Sequence, residues 1–217
     1  AIEMLQENPQ NFEMKTTVLF KNDWHKGVVG IVASRCIEKF YRPTIILTES
    51  NGKITGSARS VDGFDIYEAI CECADLLDQY GGHAYAAGLT LPAEKLDLFK
   101  SKFEEVVAKR ISEEQLIPKI GIDLEISFSI ITEKFYKIID QMGPFGPGNM
   151  TPVFKTSNVI ETGYARVVGD NHLKMTLKEV NGQRAVEAIG FGLGHLIDEV
   201  KSKKPFEVCY TLAENTY

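Results

Sequence analysis

The chain has 217 residues, of which 44% are hydrophobic and 25% charged, and its net charge is −6. A chain of this size can bury one large core or two small ones, and we expect two domains. The acidic balance excludes a protein that coats nucleic acid indiscriminately, because such binding needs many Lys and Arg contacts with phosphate. A small basic patch remains compatible with this composition, and its binding should be modest and strongly salt-dependent.

No apolar run reaches the length of a membrane span, and residues 1–10 lack the basic start and apolar stretch of a signal peptide. Four cysteines occur without a CxxC pair or a Cys/His ligand spacing. We therefore expect a soluble, cytoplasmic protein whose cysteines are reduced.

Residues 1–15 show no partner element, and we interpret them as the tail of an upstream linker. Residues 16–115 alternate between strand and helix patterns, which predicts an α/β domain with a mixed sheet. The predicted elements are strand 16–20, helix 28–40, strands 44–48 and 53–60 joined at Asn51-Gly52, a helix of about 15 residues capped by Asp65, a strand ending at Leu91 and a helix beginning at Pro92.

Residues 80–91, YGGHAYAAGLTL, place two glycines before a histidine and small residues after it. We expect Gly81 and Gly82 to turn the chain after the long helix, so that His83 emerges at a site that a ligand can approach closely. The alternative is a helix C-cap on Gly81 and a strand whose alanines pack under a helix, with His83 bonded to a loop. The motif alone does not decide between these two interpretations.

Residues 53–60, KITGSARS, offer backbone N–H groups, two hydroxyls and one guanidinium without an acid. Gly56, Ser57, Arg59 and Ser60 suit a phosphate, since Arg is a two-pronged charged donor and glycine lets the backbone approach an oxyanion. The alternative is an ordinary strand with an exposed Arg. We predict that Gly56, Ser57, Arg59 and His83 converge on one polar cleft.

From residue 116 the pattern changes. Residues 116–148 form a predicted connection, with a strictly alternating strand at 120–130, a helix from Thr132 to Met142 and a GPFGPGN linker. Residues 149–217 predict strands 158–168, 172–180, 183–191 and 206–212, with a helix at 193–201 before the last. This is the order of an OB-like, mostly β barrel that lacks its last strand, so an exposed sheet edge is expected.

Strand 172–180 has a basic face. His172, Lys174 and Lys178 share one side, whereas Leu173 and Met175 share the other. An OB fold binds single-stranded nucleic acid on this part of its surface, although the solvated face of any small barrel has a similar pattern.

The chain resembles the C-terminal half of the bacterial single-strand-specific exonuclease family RecJ. The resemblance rests on DWHKGVVGIVASR, RPTIIL, GSARSVDGFDIYEAI, YGGHAYAAGLTL and GPFGPGNMTPVF, which cover most of residues 18–154. The GGHAYAAG motif alone indicates only a DHH-associated domain. The first and last of these segments distinguish RecJ from small-oligonucleotide and cyclic-dinucleotide phosphodiesterases.

The resemblance implies a Mn²⁺- or Mg²⁺-dependent enzyme that degrades single-stranded DNA from the 5′ end in recombination and repair. Its metals would be held by an upstream DHH domain, and no DHH triplet occurs here. By the same resemblance, the GSARS loop belongs to the 5′-end pocket, and Gly81, Gly82 and His83 line the cleft that faces the metals. A helicase and a single-strand binding protein are expected partners. The alternatives are a DHH-superfamily phosphodiesterase and a binding module without chemistry.

Overall fold

A computed structural model describes residues 1–7 and 13–214 and divides the chain into two compact units, residues 1–119 and 120–217. Each unit has its own sheet and its own hydrophobic core. Among the helices that the structure describes, none combines the length and the apolar character needed to span a bilayer.

The first unit is a five-stranded mixed sheet with helices on both faces. Its elements are α1 (Ile2–Glu7), β1 (Thr17–Phe20), α2 (Val29–Lys39), β2 (Thr44–Ser50), β3 (Lys53–Arg59), α3 (Ile66–Cys71), β4 (Gln79–His83), β5 (Ala86–Leu91) and α4 (Leu96–Arg110). The strand order is β1-β2-β3-β5-β4, in which β1 and β2 are parallel and the other neighbours antiparallel. The predicted α/β domain with a mixed sheet is confirmed.

Two cores cover the two faces of this sheet. On one face, α3 and α4 bury the larger core, which includes Phe99 and Phe103. On the other face, α2 packs Ala33 and Cys36 against Ile46 of β2, and Leu5 of α1 joins this smaller core. The α2 helix covers only part of its face, because β4 and β5 lie at the far edge of the sheet.

The hairpin at Asn51-Gly52 forms as predicted. Both residues have positive φ, 54° and 71°, as a type I′ turn between twisted strands requires. Asp65 also caps α3 as predicted, since its side chain accepts the Glu68 N–H.

The prediction of a 15-residue helix before the glycines is wrong. The α3 helix ends at Cys71, a 3₁₀ turn spans Ala74–Leu76, and residues 79–83 form the edge strand β4. A 3₁₀ turn buries residues three apart, so Cys73 and Leu76 continue the apolar stripe that suggested a longer helix. The glycines therefore lie in a strand and not at a helix C-cap.

The second unit is a mostly β domain. Its elements are β6 (Leu124–Glu125), α5 (Glu133–Asp140), β7 (Phe154–Glu161), β8 (Arg166–Val168), β9 (His172–Glu179), β10 (Ala185–Gly190), α6 (Ile197–Lys201) and β11 (Phe206–Tyr210). The main strand order is β10-β9-β7-β11, while β6 pairs with β7 and β8 with β9. The sheet is open and does not close into a barrel, and β10 and β11 are the ends of its main strand order in the described residues.

The predicted strand 158–168 is interrupted. It splits into β7 and β8 because the buried carboxylate of Glu161 accepts the backbone N–H groups of Gly163, Tyr164 and Ala165, at 2.6, 2.5 and 2.7 Å. Both pieces pair with β9, so they act as one bent strand.

The alternating pattern at 120–130 predicts more strand than the structure contains. Only Leu124 and Glu125 form a ladder, parallel to β7, and Phe128 begins a 3₁₀ turn whose preceding Ser127 accepts the Ser129 N–H. Phe128 is buried, whereas Ile120 and Ile122 are exposed. The predicted helix from Thr132 is confirmed, because the Thr132 hydroxyl accepts the Phe135 N–H.

Candidate nucleic-acid interface

Strand register brings the two sequence motifs together on one face of the first sheet. Arg59 on β3 is opposite Ala86 on β5, which is opposite His83 on β4. The next row is Ser57, Gly88 and Gly81. Residues in register on neighbouring strands point to the same face, so Arg59 and His83 share a face and lie about 10 Å apart, two strand spacings.

The Arg59 side chain is positioned by its own strand. Its Nη1 donates to Ser57 Oγ and to the Ala58 carbonyl, each at 2.8 Å. Within the described residues, Arg59 forms no ion pair. A half-buried guanidinium that bonds only neutral oxygens has further N–H donors left for an anion.

The first turn of α2 closes over Arg59. A Cβ on Gly30 would lie 2.8 Å from Arg59 Nη2 and 3.2 Å from Ser57 Oγ, so a larger residue there would make the guanidinium shift from this position. The sequence reasoning did not select Gly30. A glycine inside the first turn of an otherwise good helix was the available signal, because it is unfavourable there unless close packing requires it.

A groove of about 750 Å³ runs over the same face. Its lining includes Lys26 from the loop before α2, Gly81 and Gln79 of the edge strand, and Gly88 and Thr90 of β5. Small residues at two adjoining strand positions leave the backbone open to a ligand. Lys26 supplies a cation to the lining, and Asp78, which pairs with Lys53, supplies a carboxylate. The sequence reasoning also missed Lys26 and Gln79.

His83 lies at the tip of the β4–β5 hairpin. Its Nδ1 accepts the Tyr85 N–H at 3.3 Å, and the two rings meet edge to face at 6.3 Å. A neutral ring that accepts at Nδ1 carries its proton on Nε2, so His83 presents a donor to the solvent side. The Tyr85 carbonyl accepts the Ser60 N–H at 3.0 Å and the Ala84 carbonyl accepts the Ile66 N–H, which fixes the tip.

Three predicted site residues do not present a side-chain position to the open face of the sheet. Gly56 faces the core, where a Cβ would lie 2.2 Å from the Ile46 carbonyl, so it reaches the groove only through its backbone. Gly82 also faces away, and a Cβ there would lie 2.5 Å from Ala87 Cα. The Ser60 hydroxyl donates to the Phe64 carbonyl. Ser57, Arg59 and His83 thus share one face of the sheet with Gly81. Of these four residues only Gly81 lines the groove, so their convergence on a single polar cleft stays a prediction.

In the second unit, His172, Lys174 and Lys178 lie on the outer face of β9, as predicted from their parity. His172 Nδ1 accepts the Gly192 N–H at 3.1 Å, and Lys174 Nζ lies 4.0 Å from Glu187. Lys155 on β7 is different, because Glu207 holds its ammonium at 2.8 Å and raises its pKa. The positive charge of Lys155 is thus balanced by a carboxylate of the protein itself.

Among the described residues, no group of three or more His, Cys, Asp or Glu side chains is placed to hold a metal ion. The described residues therefore supply no metal centre of their own, and the phosphate-binding role of Arg59 and Ser57 stays a prediction.

Comparison with known families finds two domain models in succession. The DHHA1 domain matches residues 13–109, and the RecJ OB domain matches residues 122–217. These spans correspond closely to the two compact units.

The chain is 37% identical over 200 residues to the single-stranded-DNA-specific exonuclease RecJ of Bacillus subtilis, covering 90% of this chain and 25% of that protein. It is 33% identical over 204 residues to RecJ of Haemophilus influenzae, covering 92% and 36%. The chain thus spans between a quarter and a little over a third of these two relatives.

Among solved structures, RecJ of Thermus thermophilus in complex with Mg²⁺ superposes on the whole chain with a TM-score of 0.76 at 28% identity, and the match covers 32% of that protein. The Mn²⁺ complex of the same protein gives a TM-score of 0.74.

Proposed function

The chain belongs to the RecJ family through its successive DHHA1 and RecJ OB domains, and from this we propose that it is the substrate-binding portion of a single-stranded-DNA-specific 5′→3′ exonuclease. The complete protein would hydrolyse phosphodiester bonds during recombination and DNA repair in the cytoplasm. In this chain we assign the first unit to the 5′ end and the scissile region, and the second unit to the single strand.

The observation that carries the proposal is the row Arg59, Ala86 and His83. A guanidinium without an acidic partner and an imidazole Nε2–H face the same side about two strands apart, and small residues leave space between them. A terminal phosphate bound at Arg59 and Ser57 would place a neighbouring phosphate near His83. Such a clamp fixes the reacting phosphate in line with its nucleophile.

The relatives of known structure were solved with Mg²⁺ or Mn²⁺. The described residues of this chain do not fit a metal site. We therefore propose that divalent ions are held by a DHH domain outside this chain. The residues of this chain would bind and orient the substrate beside that centre.

The second unit is proposed to hold single-stranded DNA through its OB surface, including His172, Lys174 and Lys178. A helicase that separates strands and a protein that coats single strands are the partners such a nuclease would need. Co-purification of either with the complete protein would test this.

A small-oligonucleotide or cyclic-dinucleotide phosphodiesterase fits less well. The DHHA1 domain alone would suit those enzymes, but the RecJ OB match at residues 122–217 adds a second domain with a single-strand-binding fold.

The 5′-end assignment is tested by comparing the binding of two oligodeoxynucleotides that differ only in a 5′ phosphate. We expect the chain to prefer the phosphorylated one, and Arg59→Ala to lose roughly tenfold in that preference, since a charged hydrogen-bonded contact is removed. The matched control is Arg35→Ala, which removes an exposed arginine that pairs with Glu38 on α2. Equal losses on both oligonucleotides in the Arg59 variant would overturn the assignment.

A further inference from the structure

The outer surface of the second unit carries an exposed apolar patch among its cations. Arg166 of β8, Lys174 of β9 and Ile189 of β10 form one row across three strands. Phe191 follows two residues after Ile189, just beyond the end of β10. Phe191 is 71% exposed and Ile189 47% exposed, which is a large apolar area for a sheet face open to water.

Phe191 is held in a defined position although it is exposed. Its ring meets the His172 ring edge to face at 5.3 Å. The turn that carries it is tied to β9 from both sides, because the Gly192 N–H donates to His172 Nδ1 and Asn171 Nδ2 donates to the Gly192 carbonyl at 3.0 Å. The face of the Phe191 ring is thus preorganised without being covered.

The charges around this ring favour an anionic, planar partner. The side chains of Arg166 and Lys174 lie in the adjoining row, and the His172 ring, whose Nδ1 accepts the Gly192 N–H, lies beside the Phe191 ring. Glu187, 4.0 Å from Lys174, is the acid on the next row and limits the basic area on that side. Aromatic faces flanked by cations are how proteins hold single strands, since a base stacks while its phosphates meet the cations.

We propose that Phe191 stacks on one unpaired nucleobase while Arg166, His172 and Lys174 contact the adjoining phosphates. This inference rests on the proposed function of the second unit and names the residue that selects single strands. In a duplex, each internal base is covered on both faces, and exposing it costs a few kcal/mol. The Phe191 ring therefore distinguishes single from double strands, which the cations alone do not.

The test is a double-mutant cycle in which one change removes the Phe191 side chain and the other removes the nucleobases. The chain and its Phe191→Ala variant are titrated with a single-stranded oligonucleotide and with the same oligonucleotide made abasic throughout. We expect Phe191→Ala to weaken binding about fivefold or more on the normal strand and less than twofold on the abasic one. The dependence of binding on salt should be the same for both proteins, whereas Lys174→Gln should reduce it.

The matched control is Tyr164→Ala, which removes another exposed aromatic side chain from the turn between β7 and β8. It should change binding less than twofold. A loss at Tyr164 equal to that at Phe191 would overturn the assignment, as would an equal loss for Phe191→Ala on both oligonucleotides.

A fluorescent variant gives an independent readout. Trp24 is the single tryptophan, so Phe191→Trp in a Trp24→Phe background reports on position 191 alone. Normal single strand should quench this fluorescence, and abasic strand should not. Unquenched fluorescence on bound single strand would refute stacking. If the unaltered chain binds no single-stranded DNA, the proposed function of this unit fails as well.

Discussion

At the scale of single residues, the two glycines before His83 have different roles. Gly81 lies on the open face of β4, where a Cβ would meet nothing within 4 Å. Gly82 lies against β5, where a Cβ would come within 2.2 Å of the Ala86 carbonyl oxygen. One glycine keeps the groove open, and the other lets the hairpin close.

This difference predicts opposite consequences for one added methyl group. Gly82→Ala should lower the free energy of unfolding by about 1–3 kcal/mol, because the clash is with backbone that cannot move aside. Gly81→Ala should change it by less than about 0.5 kcal/mol. Denaturant titration followed by Trp24 fluorescence reports on the first unit. Equal stability of the two variants would contradict this account of the hairpin.

At the scale of elements, the first long strand of the second unit depends on one carboxylate. Glu161 is 7% exposed and accepts three consecutive backbone N–H groups, which bends the chain between β7 and β8. Without these acceptors, three donors of a tight turn would lose their partners. The bend also lets β8 pair with the far half of β9.

We therefore expect Glu161→Ala to lower the free energy of unfolding of the second unit by about 2 kcal/mol or more. Glu161→Gln should cost less, because its amide oxygen still accepts. Amide hydrogen exchange at residues 163–165 is the direct measurement, and exchange should accelerate there first. Glu199→Ala, at an exposed position of α6, is the control. Protection at 163–165 that survives Glu161→Ala would show that the turn is held by other contacts.

At the scale of the whole molecule, the described residues form no metal centre beside the proposed binding surfaces. We expect the purified 217-residue chain to release no nucleotides from 5′-labelled single-stranded DNA with Mn²⁺ or Mg²⁺. The same samples should retain DNA binding, which separates a missing catalytic centre from a misfolded protein. Metal-dependent release that the Arg59→Ala variant lowers would contradict this expectation.

Much of the architecture could be predicted from local signals. The Asn51-Gly52 hairpin, the Asp65 and Thr132 caps and the basic parity of β9 each follow from chemistry within a few residues. Arg59 and His83 were predicted to lie close together, and they do lie on one face of the sheet. The long helix expected between them does not form, and two antiparallel pairings through Ala86 bring them onto that face.

The remaining features depend on contacts distant in sequence. The edge-strand position of residues 79–83, the inward face of Gly56 and the approach of Gly30 to Arg59 all result from which strands become neighbours. No local periodicity encodes that order. The exposure of Phe191 is likewise set by the end of β10, and the aromatic residue alone did not indicate it.

The edge position of β4 has a consequence for the solubility of the chain. All five residues from Gln79 to His83 are exposed, and the strand contains neither proline nor lysine, the residues that usually guard a sheet edge. Its outer backbone groups can therefore pair with the same strand of another copy. Concentrated solutions of the chain should be prone to edge-to-edge aggregation, and Gln79→Lys, at an exposed position of this strand, would be the first substitution with which to suppress it.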